Sequence, residues 1–132
     1  MIFLDSNVPM VLVGAEHPNK HAVRRILERL IAASERLVTD AEVFQEILHR
    51  YAAIRRRDAI GPCVEALLGL ADEVFPVELG DALRARDLGA SSERVSARDA
   101  LYLAVMERYG VRRILTFDAA FDAVSGIERI AE

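Results

Sequence analysis

The sequence predicts an α/β protein in which helices cover both faces of a mainly parallel sheet. Short apolar runs, of which residues 2–4 and 113–117 are the clearest, alternate with longer segments whose apolar residues recur at helical spacing. Strands that alternate with helices form parallel sheets, because each helix returns the chain to the end of the sheet where the next strand begins. With 132 residues the chain is long enough for one substantial core, and we expect a single domain over residues 1–132.

The first third of the chain contains two predicted strands and a helix. Residues 2–4 read as a short buried strand, and residues 36–39 as a second strand. Residues 8–14 are apolar but contain Pro9 and Gly14, which indicates a loop or a short helix. Between residues 22 and 31 the apolar positions recur at helical spacing, with Arg and Glu on the opposite face, which predicts an amphipathic helix.

The middle of the chain predicts two helices and an edge strand. The segment 39–42 matches a capping box, with Thr39 as N-cap and Glu42 reaching back from the third helical position. A helix is expected from there to about Ile54, and another through residues 64–70. Residues 73–77 are expected to form an edge strand, because Pro76 cannot donate a hydrogen bond to a neighbouring strand.

The last third repeats the alternation of helices and strands. Asp81 is expected to cap a short helix that ends at Leu88, and residues 89–95 form a polar loop. Ser96 begins a helix that ends at Tyr109, with Gly110 as the C-terminal stop. A strand over residues 113–117, a short helix over residues 119–123 and a last strand over residues 127–130 complete the prediction.

Composition excludes several classes of protein. The net charge of −4 argues against nucleic-acid binding through bulk electrostatics, although the positive residues are nearly all Arg, the better planar partner for phosphate. The single Cys63 excludes an internal disulfide and a cysteine-rich metal site, and it is expected in the core. No apolar stretch is long enough to span a bilayer, and the start lacks the pattern of a signal peptide. We therefore expect a cytoplasmic protein without a membrane partner.

Three aspartates stand where elements begin or end. Asp5 and Asp118 each end an apolar run, and Asp99 lies in the first turn of the helix that begins at Ser96. Each has a local explanation: Asp5 as a turn residue, Asp118 as an N-cap, and Asp99 as the partner of Ser96 in a capping box.

Taken together, the three aspartates indicate a metal site. The carboxyl ends of parallel strands lie along one edge of the sheet, so Asp5 and Asp118 face the same crevice, and Asp99 reaches it from its helix. Converging carboxylates repel one another unless a divalent cation compensates their charge. Oxygen ligands without clustered Cys or His suit Mg²⁺ or Mn²⁺.

A fourth acid is expected on the helix that follows residue 39. Glu42 and Glu46 stand one turn apart on the same helix face. The capping box would occupy Glu42 and leave Glu46 for the site. The alternative for Glu46 is a solvated residue paired with Arg50 at i+4.

Four short motifs of the chain resemble those of a known family. Asp5-Ser6-Asn7 after an N-terminal strand, Glu46 on an early helix, Ser96-Ala97-Arg98-Asp99-Ala100, and the segment Thr-Phe-Asp-Ala-Ala-Phe-Asp over residues 116–122 look like a PIN domain. More narrowly, the chain resembles the VapC toxins of toxin–antitoxin pairs. The resemblance covers essentially the whole chain, and four motifs in this order within this length are specific.

The resemblance implies a fold, an activity and a set of site residues. It implies a three-layer α/β/α sandwich, Mg²⁺- or Mn²⁺-dependent cleavage of RNA, and a small antitoxin that blocks the site. The family's acids map onto Asp5, Glu46, Asp99 and Asp118, with Asp5, Asp99 and Asp118 as the metal ligands. Asn7 and Thr116 match small polar residues beside the metal, and Asp122 matches an accessory acid.

Two surfaces are also expected. Arg94 and Arg98 lie next to Asp99 along the chain and are our candidates for contacts with RNA phosphates. At the level of the family, a homodimer is expected, for which Ala119, Phe121 and Val124 supply part of an apolar face.

Three other functions are compatible with parts of this pattern. A phosphatase with Asp5 as nucleophile would need a second acid two residues later and a lysine, but Asn7 occupies that position and the only lysine is Lys20 in a loop. A PIN-like binding module without catalysis would not need the retained acids. An RNA-processing nuclease would share the site, although the compact length favours the toxin.

Overall fold

The computed structural model describes residues 1–131, and its centre is a single sheet of five parallel strands. Along the sheet the strands follow the order β3-β2-β1-β4-β5, and every pair of neighbours is parallel. β1 therefore lies in the middle, flanked by β2 and β4. The strands are β1 (Ile2–Leu4), β2 (Leu37–Asp40), β3 (Glu73–Phe75), β4 (Arg113–Leu115) and β5 (Glu128–Ile130).

Within residues 1–131, six α-helices and two short 3-10 helices connect the strands. The chain steps in one direction from β1 to β3 and then returns across β1 to β4. Because connections between parallel strands are right-handed, this reversal places α5 and α6 on the face opposite the earlier helices. The predicted α/β/α sandwich is thereby confirmed. The helices are α1 (Asn7–Val13), α2 (Pro18–Ala32), α3 (Ala41–Ala53), α4 (Ile60–Leu70), α5 (Leu79–Ser91) and α6 (Ala97–Tyr109), with 3-10 helices at Arg57–Ala59 and Ala119–Ala123.

The central strand is buried on both of its faces. All three residues of β1 are inaccessible to solvent, and the ring of Phe3 lies 5.5 Å from the ring of Tyr102 on α6. Burial of this apolar surface is the main source of stability for such a sheet. Cys63 is part of the same core, as predicted. Within residues 1–131, no helix is long and apolar enough to cross a membrane.

The prediction for the start of α3 is wrong by one residue. Asp40, rather than Thr39, is the N-cap, and its side chain accepts a hydrogen bond from the backbone N–H of Val43. Thr39 belongs to β2 instead, where its hydroxyl donates to the carbonyl of Leu4 at 3.0 Å. The capping box with Glu42 is therefore absent, so capping gives no reason to prefer Glu46 over Glu42.

The boundaries of α5 also differ from the prediction. The helix begins after Glu78, which is the N-cap, and Asp81 completes a capping box from the third helical position. It continues to Ser91 rather than ending at Leu88, since Gly89 and Ala90 keep helical geometry. The polar loop is correspondingly shorter. Residues 8–14, predicted as a loop or short helix, lie mainly in α1.

Other local predictions are confirmed. Ser96 caps α6, and Gly110 ends it in the left-handed conformation at φ 71°. β3 is an edge strand as predicted, but it ends at Phe75 and does not include residues 76 and 77. Phe121, however, is buried in the core with 1% of its surface exposed, so the expectation that it contributes to a dimer face is wrong.

Candidate active site

The predicted acids lie at the carboxyl edge of the sheet, where the chain reverses direction between β1 and β4. Ligands bind at such switch points in open α/β sheets, because the helices on either side of the point diverge and leave a crevice. Asp5 follows β1, and its backbone N–H donates to the carbonyl of Leu115 at the end of β4 at 3.2 Å. This bond joins the two strand ends that form the floor of the crevice.

Asp5 is held by a network of hydrogen bonds. One carboxylate oxygen accepts from the backbone N–H of Ser6 at 2.6 Å, and the other accepts from the hydroxyl of Thr116 at 2.7 Å. The amide of Asn7 lies 3.4 Å from Asp5 and donates to Thr116 at 3.0 Å. The structure thus brings Asn7 and Thr116 together around Asp5, as the sequence prediction requires.

The surroundings of Asp5 disfavour its charge despite these bonds. Burial raises the pKa of Asp5 above its usual range, and the charges of Glu46 and Asp118 raise it further, while the bonds from Thr116 and Ser6 oppose the rise. Asp5 is 5% exposed. The crevice therefore has an excess of negative charge at its base.

Asp99 approaches from the first turn of α6, on the far side of the crevice. The hydroxyl of Ser96 accepts from the backbone N–H of Asp99 at 3.1 Å and fixes the start of the helix. Burial raises the pKa of Asp99 to about 6, with further contributions from the charges of Asp118, Asp5 and Glu46. These contributions indicate that the four acids lie within electrostatic range of one another.

Glu46 is buried on α3, with 6% of its surface exposed. Its carboxylate accepts hydrogen bonds from Arg98 at 3.1 Å and from the hydroxyl of Tyr102, and Arg50 lies 3.7 Å away. Glu46 is therefore paired with Arg50, as the alternative prediction had it, but Glu46 is buried rather than solvated. Glu42 is half-buried, so burial within the crevice favours Glu46 as the fourth acid.

Tyr102 is a site residue that the sequence did not single out. It is fully buried on α6, one turn after Asp99, and burial together with the charge of Glu46 raises the pKa of its hydroxyl well above the usual range. The hydroxyl therefore remains a donor to Glu46. Its spacing of three residues from Asp99 puts both side chains on one face of α6, but this spacing alone does not mark a site residue.

Asp118 is the most exposed of the four acids. Its side chain caps the 3-10 helix Ala119–Ala123 by accepting from the backbone N–H of Ala120 at 2.9 Å, as predicted for an N-cap. Its own N–H donates to the hydroxyl of Thr116 at 3.0 Å. Thr116 consequently connects Asp5, Asn7 and Asp118 through one oxygen atom.

Asp122 and Arg94 occupy the rim rather than the base of the crevice. Asp122 is exposed and forms two hydrogen bonds with Arg129, at 2.8 and 2.9 Å. A further nitrogen of Arg129 donates to the carbonyl of Thr116 at 3.4 Å, so this pair braces the segment that carries Asp118. Arg94 is exposed beside a small depression that Asp99 and Val124 also line.

The acids are near one another, but their side chains do not converge closely enough to form a metal-binding cluster. Among residues 1–131, no three Asp, Glu, His or Cys side chains form a ready-made metal-binding group. Arg98 and Tyr102 hold Glu46, and mutual repulsion opposes closer approach of Asp5, Asp99 and Asp118. The donor set, which consists of carboxylates with hydroxyl and amide neighbours, nevertheless fits a hard divalent cation.

Comparison with known proteins assigns the chain to a family. The sequence profile of the PIN domain matches residues 2–127. Over 131 residues the chain is 52% identical to VapC ribonuclease Mb1869c of Mycobacterium bovis and to ribonuclease VapC13 of Mycobacterium tuberculosis, covering 99% of this chain and 100% of each relative. The chain belongs to the VapC ribonucleases of the PIN domain family. The sequence resemblance is thereby confirmed.

Solved structures of VapC proteins share the fold. The crystal structure of VapC20 of Mycobacterium tuberculosis, described as a sarcin–ricin loop cleaving toxin, has a TM-score of 0.75 at 22% identity and covers all of both chains. VapBC2 of Rickettsia felis, bound to a DNA fragment from its promoter, has a TM-score of 0.74 at 12% identity, with 98% of each chain covered. At these identities the likeness concerns the PIN fold.

Proposed function

We propose that this chain is a divalent-cation-dependent endoribonuclease that acts as the toxin of a toxin–antitoxin pair. The observation that supports this function best is the convergence of Asp5, Glu46, Asp99 and Asp118 on the crevice between β1 and β4, where their charges act on one another. Membership of the VapC ribonucleases supports the same reaction.

The cation would be Mg²⁺ or Mn²⁺, held by Asp5, Asp99 and Asp118. When bound, it lowers the pKa of the attacking water and stabilises the negative charge that develops on the phosphate. Asp5 is already oriented for this role by Thr116 and Ser6, and Asn7 fixes Thr116 in turn. Tyr102 and Arg98 orient Glu46 towards the same centre.

Proton transfer in this site falls to carboxylates. His17, His21 and His49 are exposed and none belongs to the acid centre described above. A carboxylate of the acid centre would therefore accept the proton that leaves the attacking water.

We propose that the substrate is RNA with an accessible backbone, such as a single strand or a loop. Arg98 supports this, because its side chain is 37% exposed while it contacts Glu46, and so it stands between the acids and solvent. Arg94, exposed beside Asp99, would add a second phosphate contact. A crevice with net negative charge needs such basic residues at its rim to bind a polyanion.

The proposed partners are a small antitoxin and a second copy of the chain, with the cytoplasm as the place of action. Solved neighbours of the same fold include VapBC toxin–antitoxin complexes, which supports an antitoxin partner. An antitoxin that closes the crevice would prevent both RNA and cation from reaching the acids.

The nuclease proposal is tested with purified protein, a fluorescent RNA and added Mg²⁺ or Mn²⁺. Asp5→Asn should slow cleavage at least about 100-fold, because a charged ligand is lost from the centre. Asp58→Asn is the matched control, since Asp58 is an exposed acid paired with Arg56 outside the crevice, and it should cleave at the wild-type rate. Undiminished cleavage by Asp5→Asn, or full cleavage in the presence of EDTA, would overturn the proposal.

The toxin role needs a separate experiment. Induced expression of the wild-type chain in a bacterial host should arrest growth, and expression of Asp5→Asn should not. Co-expression of its antitoxin, sought as a short reading frame next to the gene, should restore growth. Active nuclease without growth arrest would instead favour an RNA-processing enzyme.

A further inference from the structure

Asp40 is a buried acid at the acid centre that the sequence did not nominate. It is the last residue of β2 and the N-cap of α3, and its side chain is inaccessible to solvent. Oδ1 accepts from the backbone N–H of Val43 at 2.9 Å. Oδ2 has no hydrogen-bond partner among the residues that the structure describes. A buried carboxylate oxygen without a partner is costly and rare in folded proteins.

The position of Asp40 connects it to Asp5. β1 and β2 are paired in parallel with Ile2 opposite Leu37 and Phe3 opposite Val38. Continuing this register by two residues places Asp40 beside Asp5, at the same carboxyl edge. The hydrogen bond from Thr39 to the carbonyl of Leu4 fixes the two strand ends together at this point.

Electrostatic effects place Asp40 in the same neighbourhood. Burial raises the pKa of Asp40 to about 7, with smaller contributions from the charges of Glu42 and Asp5, while the backbone N–H groups of Val43 and Glu42 oppose the rise. The charge of Asp40 in turn acts on Tyr102, the hydroxyl that holds Glu46. The charges that act most on Asp5, Asp40 and Asp99 are those of other carboxylates, whereas the cationic side chains of Arg98 and Arg50 pair with Glu46.

Capping alone does not account for an aspartate here. The cap bond from Val43 uses Oδ1, and Asn or Ser would supply it equally well without burying a charge. The start of α3 therefore needs neither the second oxygen nor the negative charge. A carboxylate that helps to bind a cation needs both.

We propose that Asp40 is a fifth acid of the cation site, whose buried charge and unpartnered Oδ2 help to hold the divalent cation beside Asp5. This inference rests on the proposed cation-dependent function and deepens it. It gives Asp40 two simultaneous roles, since Oδ1 caps the helix that carries Glu46 while Oδ2 faces the cation. One side chain would thereby serve both the start of α3 and the cation site.

The test measures cation binding directly, without RNA. Free Mn²⁺ is followed by electron paramagnetic resonance while wild type, Asp40→Asn, Asp40→Ser and Asp5→Asn are titrated. Both Asp40 variants keep a good N-cap, so they should fold and melt at or above the temperature of the cation-free wild type. Their affinity for Mn²⁺ should fall about 10- to 100-fold, the range typical for groups that support a metal site.

A control separates this role from general loss of a buried acid. Asp81→Asn removes a buried carboxylate from the first turn of α5, where Arg108 pairs with it at 2.8 Å, and it should bind Mn²⁺ like wild type. If Asp40→Asn binds as tightly as wild type while Asp5→Asn does not, Asp40 is only a cap and this inference fails. If wild type itself binds no Mn²⁺, the proposed function fails as well.

Discussion

At the scale of single residues, capping and site formation are not competing explanations. Asp118 caps the 3-10 helix Ala119–Ala123 and also acts electrostatically on Asp99. Ser96 caps α6 and in doing so orients the turn that carries Asp99. A helix start fixes a side chain close to the backbone, and this rigidity is what a metal or catalytic site requires. The N-cap explanation of Asp118 was therefore correct, and it does not exclude a role for this residue in the candidate site.

The raised pKa of Asp99 makes the stability of the cation-free protein depend on pH. Its pKa in the folded protein is about 6 against an ordinary 3.8, so the folded state binds this proton more tightly than the unfolded state. The resulting stabilisation is complete below about pH 4 and is lost as the pH rises through 6. Above that, the charged carboxylate destabilises the fold through burial and repulsion.

Asp99→Asn should remove this dependence. With EDTA present, the variant should be more stable than wild type by about 1 to 2 kcal/mol at pH 7.5, after allowance for partial solvent screening, and about equally stable near pH 4. Urea unfolding at the two pH values measures the difference. A stability difference that does not change with pH would contradict the electrostatic account of the crevice.

At the scale of elements, the sequence predicted type and order well and boundaries less well. β1 could be predicted because its residues are uniformly apolar, as expected for a strand buried on both faces. The start of α3 was misplaced because a Thr–Asp pair offers two equivalent caps. The choice is made by the bond from Thr39 to Leu4, 35 positions away in the sequence. Long-range contacts of this kind are invisible to local patterns.

Thr116 links the ends of β1 and β4 at the site, because its hydroxyl donates to Asp5 and accepts from Asn7 and Asp118. Thr116→Val keeps the shape but removes the hydroxyl, and we expect it to cost about 1 to 3 kcal/mol of stability and to slow RNA cleavage at least about 10-fold. Unfolding and cleavage assays on the same preparation measure both effects.

Thr39→Val provides the matched control for this change. Thr39 is an equally buried threonine near the end of β2, on the other side of β1, and its hydroxyl donates to the carbonyl of Leu4 rather than to an acid. It should lose about 1 kcal/mol of stability and slow cleavage less than Thr116→Val does, because its hydroxyl bonds a backbone carbonyl rather than an acid. Equal losses of activity in the two variants would mean that the threonines act through stability rather than through Asp5.

At the scale of the whole molecule, the site exists only when distant segments meet. Asp5, Glu46, Asp99 and Asp118 come from four elements, and the switch point between β1 and β4 is the place where those elements converge. The sequence indicated this through the order and spacing of its acids. Tyr102 and Asp40 were missed because their roles depend on packing between α3, α6 and β2, which spacing along the chain does not reveal.

A cation bound in this crevice would contribute to the stability of the whole fold, because it would offset the concentration of negative charge there. A ligand that binds only the folded state stabilises it by RT ln(1 + [L]/Kd), which is about 2.7 kcal/mol at one hundred times Kd. For a domain of this size that corresponds to a rise of roughly 5 °C or more in melting temperature. Saturating Mn²⁺ should produce this rise in wild type, as followed by circular dichroism, and EDTA should reverse it. In Asp5→Asn the rise should largely disappear, although the cation-free variant melts at or above the wild-type temperature because a buried like charge is gone. An equal rise in both proteins would show that the cation stabilises the chain elsewhere, and it would remove Asp5 from the proposed site.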